Sequence, residues 1–150
     1  MIRALLIEDN SIKQERIKRV IERGFDAEVQ IVGTIIAAYP NIEKLPWDIV
    51  ILDMTFQILR TGIDAGMQAL AGVELLQFMT SKEITTPVIV VTQHETFTQP
   101  GHKTIRSIAE LDRLLRDSFP NVYHGTIHAN LASESWHEEL IAKIAVALHA

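Results

Sequence analysis

Short apolar runs that end abruptly in a polar side chain recur along this chain. Ala4-Leu5-Leu6-Ile7 stops at Glu8-Asp9-Asn10, Asp48-Ile-Val-Ile-Leu-Asp53 stops at another carboxylate, and Pro87-Val-Ile-Val-Val-Thr92 stops at a hydroxyl. Unbroken aliphatic, largely β-branched runs of this length predict strands buried on both faces of a parallel sheet. Between them the period becomes helical. From Ser11 to Arg23, Ile12, Ile17, Val20 and Ile21 fall on one face, while Lys13, Arg16, Lys18, Arg19 and Arg23 cover much of the rest. Asn10 or Ser11 can cap the start of this helix and Gly24 its end. Val29 to Val32 reads as a further strand, and Thr34 to Leu45 as a weak helix cut short by Pro40.

The second half continues the alternation. After Asp53 the pattern lapses until Val73-Glu-Leu-Leu-Gln-Phe-Met79, which predicts a loop or a lengthened helix in the gap. Lys103 to Phe119 is amphipathic, with Ile105, Ile108, Leu111, Leu114 and Leu115 on one side, and Pro120-Asn121 closes it. Val122 to Ile127 forms a last strand. A helix from Ser135 to His149 then carries Trp136, Leu140, Ile144 and Leu148 on one stripe, with Trp136 read as core. Alternating strands and helices predict an α/β fold of right-handed βαβ units, with five strands and five helices and both faces of the sheet covered.

Composition narrows the class. The 150 residues show no linker, repeat or charge block, so the expectation is one domain over 1–150 with no output domain after it. A hydrophobic fraction of 47% beside 22% charged residues is that of a chain able to bury a core. The net charge of −5 argues against nucleic acid, and no apolar run reaches a membrane span. The absence of cysteine removes disulfides and thiolate chemistry and fits a reducing compartment, the cytoplasm.

In open parallel sheets, functional groups gather beyond the carboxyl ends of the strands where the strand order reverses. If the strands ending in Glu8-Asp9, Asp53 and Thr92 are neighbours, three carboxylates and one hydroxyl converge there. Such a cluster stays ionised when a hard divalent cation shares it, and Mg²⁺ is the natural occupant. A carboxylate so placed can also be the nucleophile that accepts a phosphoryl group, a role that suits Asp53 at the end of the central strand. The spacing of His124 and His128 puts both on one face of a regular strand, but no third zinc ligand is evident.

Leu5-Leu-Ile-Glu-Asp-Asn10, Asp48-Ile-Val-Ile-Leu-Asp53, Gly72-Val-Glu-Leu-Leu76 and Thr86-Pro-Val-Ile-Val-Val-Thr92, in this order, resemble the receiver domain of bacterial two-component response regulators. The resemblance implies a flavodoxin-like, three-layer fold with a five-stranded parallel sheet. It implies Asp53 as phosphoacceptor, Glu8, Asp9 and Asp53 together with the backbone carbonyl of Thr55 as Mg²⁺ ligands, and Thr92 as the switch hydroxyl. It also implies a non-enzymatic signalling protein whose partners are a sensor histidine kinase or phosphotransfer protein and a downstream protein target, with homodimerisation a further option and the first helix a docking face for the kinase. One departure stands out: receivers carry a lysine at the end of the last strand, and this chain has none between Lys103 and Lys143. His128 falls nearest that position, with Thr126 the alternative, and Tyr123 matches the family's switch aromatic only in the alternative register. Two competing readings follow. One is a pseudo-receiver that binds partners without phosphorylation; the other, suggested by Asp53-Met-Thr55, is a phosphatase of the haloacid dehalogenase type.

Overall fold

The computed structural model describes residues 1–54, 56–58, 66–68, 71–97 and 104–149. A five-stranded parallel sheet runs through it in the order β2-β1-β3-β6-β7, built from β1 (Ile2–Ile7), β2 (Ala27–Val32), β3 (Ile49–Leu52), β6 (Val88–Thr92) and β7 (Tyr123–His128). The remaining strands, β4 (Phe56–Ile58) and β5 (Gly66–Gln68), pair with each other in an antiparallel hairpin. This hairpin corrects the expectation of a loop or lengthened helix after Asp53. Its strands are only three residues each, too short to leave a period-2 signature in the sequence.

Five helices cover the sheet: α1 (Ser11–Gly24), α2 (Ile35–Lys44), α3 (Ala71–Ser81), α4 (Ile108–Ser118) and α5 (Ser135–Leu148). Alternation along each strand divides the core. Leu5, Ile7, Val50, Leu52, Val88 and Val90 pack with α2, α3 and α4, whereas Ala4, Leu6, Ile49, Ile51, Ile89 and Val91 pack with α1 and α5. All of these strand residues are essentially inaccessible, which is why the strands read as continuous apolar runs. Trp136 is buried in the second core and its indole N–H donates to the Asn130 and Ser133 carbonyls, each at 3.1 Å.

Three local expectations are corrected. Pro40 lies inside α2 instead of ending it. Its ring removes the bond to the Ile36 carbonyl, a cost that is small here because Ile36 is exposed and water can reach that group. Ile105 stands outside α4, in an isolated antiparallel bridge with Phe97, because Ser107 caps the helix by accepting from Glu110 N at 3.0 Å. In α1, Ile12 is 60% exposed and Lys13 is the buried residue.

Candidate functional site

The sheet order reverses between β1 and β3: β2 lies on one side of β1, and β3, β6 and β7 follow on the other. Registration brings the strand ends level there. Asp53 N donates to the Ile7 carbonyl at 3.0 Å, and Glu8 N donates to the Val32 carbonyl at 3.0 Å. One carboxylate oxygen from each of Glu8, Asp9 and Asp53 lies within 4.8 Å of the others. Among the described residues this is the one cluster of three or more carboxylate or imidazole groups with metal-binding geometry. Glu8 and Asp53 are buried, and Asp9 is half-buried. Burial therefore raises the Glu8 carboxyl to about 7, with the neighbouring Asp53 charge adding to the shift and Lys13 opposing it.

The polar turn after β1 orders this pocket. Glu8 Oε2 accepts from Asn10 N at 3.1 Å, and Asn10 Oδ1 accepts from Ile12 N and Lys13 N, each at 3.0 Å, capping α1. Lys13 consequently starts one turn into the helix with its side chain aimed at the strand ends. Its ammonium lies 2.6 Å from Glu8 Oε1 and 3.4 Å from Asp53 Oδ1, and donates to the Val91 carbonyl at 2.9 Å. Only 1% of the side chain is exposed. Sequence reasoning had placed Lys13 on the solvated face, yet its spacing held the signal: positions 13, 17, 20 and 24 recur at helical period, and Ile17 and Val20 on that line are buried. Ile12 instead shares its line with Arg16, Arg19 and Arg23.

Glycine completes the wall on the other side. Gly72 N donates to the Met54 carbonyl at 3.3 Å, and a Cβ on Gly72 would stand 2.8 Å from Met54 Sδ and 3.2 Å from Met54 Cα. Only a residue without a side chain lets α3 begin this close to the backbone that follows Asp53. Thr92 ends β6 fully buried; its hydroxyl accepts from His94 N at 3.2 Å and its carbonyl accepts from Ala129 N at 2.8 Å. Thr55 lies outside the described residues, as does Lys103.

The last strand behaves differently from its sequence pattern. The β6–β7 register shifts between Val88↔Tyr123 and Val90↔Thr126, with Gly125 at φ +124°, a conformation that favours glycine. The inserted residue breaks strict alternation, so His124 and His128 are not on one regular face. It also brings the Tyr123 hydroxyl to Thr126 Oγ1 and to Asp112 Oδ1, the latter at 2.6 Å. Tyr123 pairs with Val88 at the opposite end of β6 from Thr92, so it does not occupy the position of an aromatic partner to that hydroxyl. Thr126 is engaged with Tyr123. His128 sits in register with Thr92, its Nε2 3.3 Å from the Gln93 carbonyl and 3.9 Å from Glu95 Oε1 at the rim.

A reversal in a parallel sheet, with an acidic cluster at that point, is the arrangement that the resemblance to receivers implies. Over 147 residues the chain is 33% identical to the Detocs response regulatory protein DtcB of Enterobacter cloacae, covering 93% of this chain and 97% of the relative. It therefore belongs to the response regulator receiver family of two-component phosphorelay systems. It is also 27% identical over 141 residues to the uncharacterised protein y4jR of Sinorhizobium fredii, covering 90% and 91% of the two chains. No protein-family model matches. Among solved structures, the response regulator domain of Thermotoga maritima CheB superposes with a TM-score of 0.68 at 20% identity, covering 100% of this chain and 98% of that domain. A Francisella response regulator receiver domain gives 0.65 at 17% identity, covering 99% and 98%. These structural likenesses show the flavodoxin-like fold. Family and fold set aside the dehalogenase reading. No helix among the described residues is long and apolar enough to cross a membrane.

Proposed function

We propose that this chain accepts a phosphoryl group on Asp53 and signals by altered association with a downstream protein. The donor is a phosphohistidine of a sensor histidine kinase or phosphotransfer protein. The observation that carries this reading is the Asp53 carboxylate at the end of the central strand, clustered with the carboxylates of Glu8 and Asp9. An Asp53 oxygen forms the new O–P bond as the donor N–P bond breaks, and the bonding pair returns to the imidazole nitrogen. Three hard oxygen donors fit Mg²⁺, and Glu8, Asp9 and Asp53 would hold it. When bound, the ion neutralises charge on the transferring oxygens. The Thr55 carbonyl remains an expected ligand from the family alone.

Thr92 is the proposed switch, since its buried hydroxyl ends the strand next to β3 and is positioned by His94 N. The exposed line of Ile12, Arg16 and Arg19 on α1 is the proposed kinase-facing surface. A second reading, a receiver fold that binds without phosphorylation, draws on the end of β7, which carries His128 and no lysine.

Intact-mass spectrometry after incubation with Mg²⁺ and a small phosphodonor tests the proposal. A gain of one phosphoryl group, labile to hydroxylamine and lost in Asp53→Ala, is the expected result. Label that persists on Asp53→Ala assigns the acceptor elsewhere, and no label at all favours the phosphorylation-independent module.

A further inference from the structure

The missing cation of the last strand has a replacement elsewhere in the fold. We infer that Lys13, projecting from α1, is the residue that bonds the phosphoryl oxygens on Asp53, a role that rests on the phosphoacceptor reading above.

Placement is the first argument. Lys13 Nζ reaches the ends of three adjacent strands at once: Glu8 after β1 at 2.6 Å, Asp53 after β3 at 3.4 Å, and the Val91 carbonyl in β6 at 2.9 Å. An ammonium has three N–H donors. One donates to the Val91 carbonyl, the ion pair with Glu8 is short, and the contact with Asp53 is the longest of the three. A phosphoryl group joined to Asp53 adds oxygens on that side. They offer the ammonium a charge-assisted acceptor on that side.

Cost is the second argument. A lysine at the apolar line of Ile17 and Val20 is expensive: a buried ammonium loses several kcal/mol of hydration, which a single carboxylate rarely restores. A leucine or methionine would extend the same line without that loss. Lysine makes sense here as a cation beside two of the pocket's three carboxylates, to which transfer adds the further negative charge of the phosphoryl group. His128 instead meets the Gln93 carbonyl and the exposed Glu95 carboxylate at the rim. Asn10 supports the arrangement by capping α1 on Lys13 N, and the Arg16 guanidinium fixes the same helix to the loop after β7 through the Leu131 carbonyl.

The test compares wild type, Lys13→Met and His128→Ala in Mg²⁺ with a small phosphodonor. It reads the initial rate of Asp53 labelling, the lifetime of the acyl phosphate, and the rise in melting temperature on adding beryllium fluoride, a non-transferable phosphoryl mimic. Circular dichroism confirms that each variant is folded. Lys13→Met is expected to slow labelling at least tenfold and to lose most of the beryllium fluoride shift. If Lys13→Met folds poorly, Lys13→Gln, which removes the charge but keeps a polar donor for the buried Glu8 carboxylate, repeats the comparison. Wild-type rate, lifetime and shift in a folded Lys13 variant overturn the assignment, as does a larger loss in His128→Ala than in Lys13→Met. A wild type with neither label nor shift overturns the phosphoacceptor reading as well, so the two failures are distinct.

Discussion

Lys13 Nζ and Asp53 Oδ1 lie 3.4 Å apart, although one projects from the first helix and the other ends the third strand. The contact joins the two layers of structure on which a receiver depends. The sheet supplies the acids by register, and the helix supplies a cation by its cap. Burial of like charges is costly even so, since the Asp53 charge adds to the shift that burial imposes on Glu8. Stability and ligand binding are therefore coupled here, and each can be used to probe the other.

Mg²⁺ should stabilise the fold by mass action. At about ten times its Kd, a ligand specific for the native state adds roughly 1.4 kcal/mol. Asp9→Asn should shrink the rise in melting temperature, because it removes one oxygen donor while leaving the buried Lys13–Glu8 pair in place. Without metal, Asp53→Asn should raise stability slightly by removing a charge from the crowded cluster. A wild-type melting temperature indifferent to Mg²⁺ would refute the site.

The Glu8 carboxyl makes stability depend on pH in a direction that can be worked out. Its folded-state value of about 7 exceeds the ordinary 4.5, so the native state holds this proton more tightly than the unfolded chain does. Stability from this group is complete below about 4.5 and falls as pH rises to about 7, by on the order of 3 kcal/mol. His124 slopes the other way, since burial and then the nearby Arg116 hold its imidazole below the usual value. Urea unfolding in EDTA between pH 5 and 7.5, as about six steps, should therefore show a fall in wild type relative to Glu8→Gln. Identical profiles in the two proteins would exclude this account.

Much of this was legible in the sequence, for physical reasons that also explain what was not. Buried parallel strands are apolar on both faces, so β1, β3 and β6 announced themselves, and a polar residue can only follow where each leaves the core. That rule puts Glu8, Asp53 and Thr92 at the strand ends, where the structure has them. Lys13 escaped because a charged residue is ordinarily assigned to the solvated face, and of the acids that make its burial tolerable Glu8 meets it only through the turn into α1 while Asp53 comes from a strand remote in sequence. The bulge at Gly125 escaped too, because one inserted residue changes facing without changing composition.

Gly72→Ala should disturb the pocket from outside its charged groups. The added methyl would press on Met54 at 2.8 Å from Sδ and 3.2 Å from Cα, next to Asp53 in the chain. The sulfur can move, but the backbone has less room. A loss of about 1–3 kcal/mol is expected, together with weaker Mg²⁺ stabilisation than in wild type. An alanine variant with wild-type melting temperature and metal response would show that α3 can shift without cost.

Tyr123 ties α4 to the last strand, and its loss should be visible at neutral pH. Its hydroxyl donates to Asp112 Oδ1 at 2.6 Å, while Arg116 Nη2 donates to the same oxygen at 3.0 Å. Burial tends to raise the Asp112 carboxyl, but these two bonds together with the charges of Arg116 and Lys143 outweigh it and hold the group below its ordinary value of 3.8. A depressed carboxyl contributes stability that is present above its unfolded value and is lost as pH falls through the folded one. Tyr123→Phe removes one donor from Asp112 and the hydroxyl partner of Thr126, so it should cost about 1 kcal/mol at pH 7. The difference from wild type should begin to narrow below about pH 4, where the unfolded chain takes up this proton, and should close further as pH falls through the depressed folded value. Urea unfolding at acidic and neutral pH checks both statements; a deficit that stays constant across that range would place the contribution of Tyr123 in packing and its contact with Thr126, apart from the ionised Asp112.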